Sequence, residues 1–115
     1  MISTIRAIGD YLNTFHECNN EELSLDFNYD KNVGMYFELN NFRNVEYKDI
    51  ITLDIHFISS KKNKVKLLEL LERVDKSTHK KSLSNFRIFR KEVYLIDAQD
   101  DKYEHFILSY NVNKY

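Results

Sequence analysis

The sequence predicts an α+β fold in which a mainly antiparallel sheet of about five strands packs with two helices. Segments that alternate apolar and polar residues predict the strands, because successive side chains of a strand point to opposite faces. Two segments with apolar residues at every third or fourth position predict the helices. The links are short and 115 residues suit one domain. We therefore expect a single α+β domain over residues 1–115, with the element order α-β-β-β-α-β-β.

The first half of the chain is predicted to hold a helix and a β-hairpin. The helix covers residues 2–17, where four apolar residues recur at helical spacing. Residues 23–29 and 33–39 alternate strictly, and the polar turn between them predicts that they pair as a hairpin. Asn40 and Asn41 then break the alternation.

A long strand is predicted over residues 45–58. One of its faces is apolar and is expected to join the core. The other face carries Thr52, Asp54 and His56, so we expect it to meet water or a partner. These three residues are candidates for a subunit or partner interface.

The second half is predicted to hold a helix over 62–75, a polar basic loop over 76–85, and a hairpin of two strands over 86–97 and 103–113. The helix has a broad apolar stripe, and the acidic residues near position 100 are typical of a turn between the two strands.

Charge is distributed unevenly along the chain, although its net charge is only −1. Residues 61–91 hold eleven of the 17 Lys and Arg residues and three of the 18 Asp and Glu residues, a net charge of +8 against −9 elsewhere. The lysines at the start of the second helix and in the following loop are candidate interface residues: Lys61, Lys62, Lys64, Lys66, Lys76, Lys80 and Lys81.

Three interpretations of this basic segment stay open. It is a solvated surface, or it contacts an acidic neighbour such as an adjacent copy of the chain, or it neutralises the phosphates of a nucleic acid. Arg87, Phe89 and Arg90 would add an aromatic ring for base stacking between basic side chains. The isoelectric point of about 6.4 is far below that of most nucleic-acid-binding domains.

Composition and spacing favour no catalytic, cofactor-binding or metal site, so we expect a protein that is not an enzyme. Two glycines exclude Gly-rich phosphate loops, and a single cysteine excludes an internal disulfide and a four-cysteine zinc site. His16 and Cys18 have no second ligand pair at suitable spacing. Asp26 or Asp30 with the Glu46-x-Lys48 sequence is the outline of a metal-dependent nuclease site, but short charged patterns of this kind arise by chance.

No segment is apolar for the roughly 20 residues that a membrane-spanning helix needs. The first residues also lack the features of a signal peptide. We expect an intracellular protein that does not contact a membrane.

Three stretches resemble a known family. They are IRAIGDYL, ITLDIHFISSKKNKVKLLELLERV and FRIFRKEVYLIDAQDDKYEHFILSYNV, which begin at residues 5, 51 and 86. In this order, the three stretches resemble the first helix, the long strand with the second helix, and the terminal hairpin of bacteriophage tail terminators. These are also called tail-completion or head–tail joining proteins. The chain lacks the proline that such proteins commonly carry before the long strand.

The resemblance implies a structural, non-enzymatic protein that forms a ring, typically a hexamer, on the last ring of the tail tube. Its partners would be other copies of itself, the tail tube and the head connector. It would occur in the host cytoplasm during assembly and then in the virion, at the head-proximal end of the tail. The alternative is a small phage or mobile-element protein that binds nucleic acid, or inhibits a host nucleic-acid enzyme, through its basic segment 61–91.

Overall fold

Five antiparallel strands form one sheet, and two helices pack against it. The computed structural model describes residues 2–20, 22–23, 27–45, 48–83, 86–96 and 102–114. In chain order the elements are α1 (Ile2–Asn13), β1 (Gly34–Val45), β2 (Lys48–Ser60), a short 3-10 helix (Lys61–Asn63), α2 (Lys64–Thr78), β3 (Lys81–Leu83), β4 (Phe86–Ile96) and β5 (Tyr103–Lys114). Across the sheet the strand order is β1-β2-β5-β4-β3. The predicted α+β class, with two helices and five antiparallel strands, is confirmed.

The sheet is built around the pairing of β2 with β5. These strands are aligned without interruption from the pair Asp49–Lys114 to the pair Ser60–Tyr103. β1 pairs with the outer side of β2, and β4 pairs with the outer side of β5. The strands predicted over 45–58, 86–97 and 103–113 therefore correspond closely to β2, β4 and β5.

The hydrophobic core lies between one face of the sheet and the two helices. α1 approaches β1 at Gly9, where an added Cβ would lie 3.7 Å from the ring of Phe37. α1 also meets α2, because the Tyr11 hydroxyl donates a 2.8 Å hydrogen bond to Ser77 Oγ. The most deeply buried core residues come from both helices and from β1, β2, β4 and β5: Ile8, Leu12, Phe37, Leu53, Ile55, Phe57, Leu67, Val74, Ile88, Leu108, Tyr110 and Val112.

The first hairpin of the structure differs from the predicted one. β1 pairs with β2, whereas the prediction paired residues 33–39 with 23–29. Residues 24–26 lie outside the described part, and the described residues 23 and 27–29 are not in a strand. The side chains of Leu23, Phe27 and Tyr29 instead gather around Gly34, whose missing side chain leaves room for them. The described apolar residues of this segment therefore pack over the start of β1.

The predicted break at Asn40 and Asn41 is a β-bulge inside β1. The register passes from Asn40–Thr52 to Arg43–Ile50, so β1 holds one more residue than β2 at this point. Asn41 has a φ of 52°, in the left-handed region that asparagine tolerates better than most residues. The strand continues beyond the bulge to Val45 because a bulge bends a strand without ending it.

The basic loop predicted over 76–85 contains the end of α2 and the short strand β3. α2 is anchored to the sheet by Asp75, whose carboxylate accepts hydrogen bonds from the Tyr110 hydroxyl at 2.7 Å and from Arg90 at 2.5 Å. Burial raises the pKa of Tyr110, and the hydrogen bond to Asp75 acts in the same direction. These contacts hold the last turn of α2 on the sheet, and the helix reaches Thr78.

Candidate functional site

The three candidate interface residues of β2 lie on the sheet face that points away from the helices. Their neighbours in β2 are in the core, and side chains alternate along a strand. The prediction that this face meets water or a partner is wrong as to water for Thr52 and His56, which are only 4% and 8% exposed. Asp54 is half-buried. Because β2 lies between β1 and β5, side chains on both neighbouring strands cover it. A role of these residues in subunit contact stays a prediction.

His56 is the centre of a polar group that spans three strands, which we call the histidine cluster: Tyr36, Glu38, His56 and His105. His56 Nε2 lies 2.8 Å from Glu38 Oε1 on β1. His56 Nδ1 lies 2.8 Å from Nε2 of His105 on β5. The ring of Tyr36 stacks on His56, with centroids 4.3 Å apart and planes within 5° of parallel.

These contacts determine where the protons of the neutral histidine cluster lie. A carboxylate can only accept, so His56 donates the Nε2 proton to Glu38. In a neutral imidazole the other nitrogen carries a lone pair, and His56 Nδ1 therefore accepts the Nε2 proton of His105.

Burial keeps both histidines of the cluster neutral at neutral pH. It lowers the pKa of His56, and the Glu38 carboxylate opposes this effect without outweighing it. Burial, together with the charge that His56 would carry, lowers the pKa of His105 to about 4. Burial and the nearby Glu38 carboxylate raise the pKa of Tyr36 to about 12, so its hydroxyl stays protonated.

The structure does not join His16 and Cys18 in a common site. The Cys18 side chain is buried, and burial raises the pKa of its thiol to about 12. The His16 ring is in contact with Asn32 Oδ1 at 3.1 Å. Asp26 and Glu46 of the nuclease-like pattern lie outside the described residues. Within the described part of the chain, no group of three or more His, Cys, Asp or Glu side chains is arranged to hold a metal ion.

The structure divides the candidate lysines into two groups at opposite ends of α2. The first group lies at the start of the helix and is exposed: Lys61, Lys62, Lys64 and Lys66. Lys64 forms a 3.7 Å ion pair with Glu104. Lys76, Lys80 and Lys81 lie at its end, where Lys81 Nζ is 5.5 Å from the centre of the Tyr11 ring. Lys66 and Lys76, the nearest members of the two groups along the helix, are ten residues apart on α2, which is about 15 Å at about 1.5 Å per residue. The candidate lysines therefore lie in two groups toward the two ends of α2.

Of the three side chains predicted for base stacking, Arg87 and Phe89 lie together and Arg90 lies apart from them. The Arg87 guanidinium lies 5.4 Å from the centre of the Phe89 ring. Arg90 pairs with Asp75 on the helix side of the sheet. The two arginines consequently lie on different faces of β4.

β1 forms one edge of the sheet, and most of its length has no partner strand on the outer side among the described residues. Next to its start, the N–H of Phe37 donates a 3.0 Å hydrogen bond to the carbonyl oxygen of Asn19. Over residues 38–45, no strand among the described residues pairs with β1 on the side away from β2.

The opposite edge is covered only in part. β3 pairs with Phe86, Arg87 and Ile88 of β4. Farther along, the N–H of Arg90 donates to His79 Nδ1 at 2.9 Å. From residue 91 to 96, no described strand pairs with the outer side of β4.

Exposed apolar side chains occur on both open edges. Phe42 and Val45 on β1 are 57% and 43% exposed, and Val93 on β4 is 46% exposed. The sequence does not reveal these residues as a group, because a periodic pattern shows which way a side chain points and does not show which strand lies at an edge.

Comparison with known proteins gives no match, either to a protein-family model or to a curated protein sequence. Neither of the helices seen in the described residues has the length and apolar character needed to cross a membrane.

Proposed function

We propose that this protein is a non-enzymatic assembly subunit whose copies join edge to edge into a closed ring, as the resemblance to phage tail terminators implies. One observation carries the proposal: the two edges of the sheet are different, and no described strand pairs with the outer side of β1 over residues 38–45 or with the outer side of β4 over residues 91–96. A contact between two different surfaces of successive copies is heterologous. Such contacts generate a ring when the rotation from copy to copy closes.

The backbone of both edges is suited to strand addition. The Ile88 carbonyl accepts a hydrogen bond from Lys80 and thus faces away from β5, and Ile88 lies opposite Val112. Val93 lies opposite Leu108, and Leu108 is four residues from Val112 along β5. Because the direction of backbone groups alternates along a strand, the N–H of Val93 also faces away from β5. By the same alternation, the N–H of Leu39 faces outward like that of Phe37. Outward-facing backbone groups of this kind bind an added strand.

The side chains of the edges support a partner that covers them. Natural sheets usually protect their edges with charges, bulges or short strands. β1 and β4 each contain a bulge, near Asn41 and Lys91, yet they expose Phe42, Val45 and Val93. Apolar contact at these residues would stabilise a joined pair of copies.

In this proposal the two lysine groups serve contacts outside the ring. They lie on α2 and next to it, and Lys81 begins β3, beside the part of β4 that β3 covers. They would contact acidic surfaces of the tail tube and the head connector, and the charge complementarity would orient the docking. The ring would assemble in the host cytoplasm and remain at the head-proximal end of the tail.

Light scattering on a sizing column, at rising protein concentration, tests the proposal. We expect one oligomer of defined mass that forms reversibly, and negative-stain electron microscopy of that fraction should show annular particles. A chain that stays monomeric at every concentration, or that forms open filaments of variable length, would contradict a closed ring.

The same preparations separate the ring from the nucleic-acid alternative. We expect no binding of single- or double-stranded DNA at physiological ionic strength, measured by fluorescence anisotropy. An affinity that falls steeply with salt and is lost when the lysines of both groups are replaced by glutamine would favour the nucleic-acid-binding protein.

A further inference from the structure

The contact between His56 and His105 is unusual because two nitrogen atoms that can each act as a metal ligand face one another. His56 Nδ1 and His105 Nε2 are 2.8 Å apart, on the neighbouring strands β2 and β5. A single proton occupies the space between them when both rings are neutral. Any electrophile that replaces this proton must accept a lone pair from each ring.

A divalent transition-metal ion meets this requirement with a small movement. Imidazole nitrogens bind Zn²⁺ at about 2.0–2.1 Å, which in tetrahedral geometry sets two ligand nitrogens roughly 3.4 Å apart. The two rings would therefore separate by about 0.6 Å from their present 2.8 Å. The number of protons on the two rings does not change, because the proton of His105 lies on Nδ1 and not on Nε2 when Nε2 binds the ion.

The surroundings of His56 match those of a metal ligand. A ligating histidine usually donates its other N–H to a carboxylate, which fixes the ring and makes the ligand more basic. Glu38 Oε1 accepts from His56 Nε2 at 2.8 Å. Tyr36 holds the same ring by stacking on it. His56 is thus oriented with its Nδ1 lone pair toward His105.

We propose that His56 Nδ1 and His105 Nε2 bind one divalent transition-metal ion of the Zn²⁺, Co²⁺ or Ni²⁺ class, with Glu38 orienting His56 and water completing the coordination. Imidazole suits these ions and discriminates against Mg²⁺ and Ca²⁺, which prefer oxygen ligands. The site is built from two protein ligands, and the ring proposed above is not required for it.

Calorimetric titration of the untagged protein with Zn²⁺, together with visible absorption after addition of Co²⁺, tests the proposal. We expect one equivalent to bind and Co²⁺ to give ligand-field bands. His56→Gln and His105→Gln should each abolish binding. His16→Gln is the matched control and should leave binding unchanged, because His16 lies outside the histidine cluster and contacts Asn32. Glu38→Gln should weaken binding by about 10–100-fold.

Nuclear magnetic resonance of the wild-type histidine side chains avoids any dependence on whether the variants fold. Zn²⁺ should shift the ring nitrogen signals of His56 and His105 and leave those of His16 in place. Absence of binding by the wild-type protein would overturn the proposal. Binding that persists in the His56→Gln, His105→Gln double variant, or shifts confined to other histidines, would overturn it equally.

Discussion

Asp75 joins α2 to the sheet through side-chain hydrogen bonds. One carboxylate oxygen accepts from Tyr110 and the other from Arg90, while its backbone carbonyl accepts the N–H of His79. The Tyr110 side chain is fully buried, so its hydroxyl makes a hydrogen bond to the charged Asp75 carboxylate in place of one to water. A hydrogen bond to a charged group contributes more to stability than a neutral one.

Tyr110→Phe should therefore lower the free energy of unfolding by about 1.5–3 kcal/mol, measured by urea denaturation. The change removes only the hydroxyl and leaves Asp75 with one partner fewer. Tyr11→Phe is the control, because the hydroxyl of Tyr11 bonds the neutral Ser77 and Thr78 side chains. Equal losses in the two variants would contradict a special role of the charged acceptor.

Cys18 should be unreactive in the folded protein. Its raised pKa keeps the thiol protonated at neutral pH, and the protonated form is a poor nucleophile. We expect a thiol reagent to modify it only after denaturant is added. Val65→Cys in a Cys18→Ser background places a thiol at an exposed position of α2 and should react at once. Fast modification of Cys18 in the folded wild type would show that its surroundings open.

At the scale of elements, β1 is the strand in which local pattern and observed structure differ most. Its predicted end at Asn40 and Asn41 is a bulge, and it pairs with β2, whereas the prediction paired it with residues 23–29. The bulge moves Phe42 and Val45 to an exposed stretch of the edge. The backbone conformation of Asn41 therefore positions the apolar side chains that we assign to subunit contact.

Asn41→Val should lower the free energy of unfolding by about 1–2 kcal/mol, because a β-branched residue does not tolerate a φ of 52°. Asn41→Gly should be neutral or slightly stabilising, since glycine adopts positive φ without steric cost. Thermal unfolding of the two variants makes the comparison. A Val variant as stable as the Gly variant would show that β1 can be rebuilt without the bulge.

At the scale of the whole molecule, the strands set the shape. The long dimension is 45 Å and the other two are 25 Å each. A strand such as β2, with 13 residues, spans about 43 Å at about 3.3 Å per residue. The open edges therefore run along the long sides of the molecule, and an edge-to-edge contact would extend over much of its length.

Val93→Pro should reduce assembly and leave the monomer folded. Proline removes the N–H that faces away from β5, so the hydrogen bonds between β4 and β5 remain. Val93→Ala keeps that N–H and should assemble much closer to wild type, with a smaller loss from its reduced apolar area. Light scattering and circular dichroism give mass and fold. Unchanged assembly of the Pro variant would place the subunit contact elsewhere.

Some features of the candidate site depend on residues that are close in sequence and can be predicted, whereas others depend on contacts between residues that are far apart in sequence. The positions of Thr52, Asp54 and His56 on the non-core face follow from alternation within one strand. Their burial, and the contact of His56 with a histidine 49 positions away, depend on β2 being placed between β1 and β5. Likewise, the +8 segment is continuous in sequence, but α2 separates its lysines into two groups.

The sequence alone determined the α+β class, the two helices, and the strands that became β2, β4 and β5, because periodicity is a local property of the chain. The tertiary structure decided which strands are neighbours, which edges stay open, and which polar side chains meet in the histidine cluster. Those outcomes depend on pairing between strands that are far apart in sequence. The alternation of apolar and polar residues specifies which face of the sheet a side chain joins, but it does not specify which strand lies next to it.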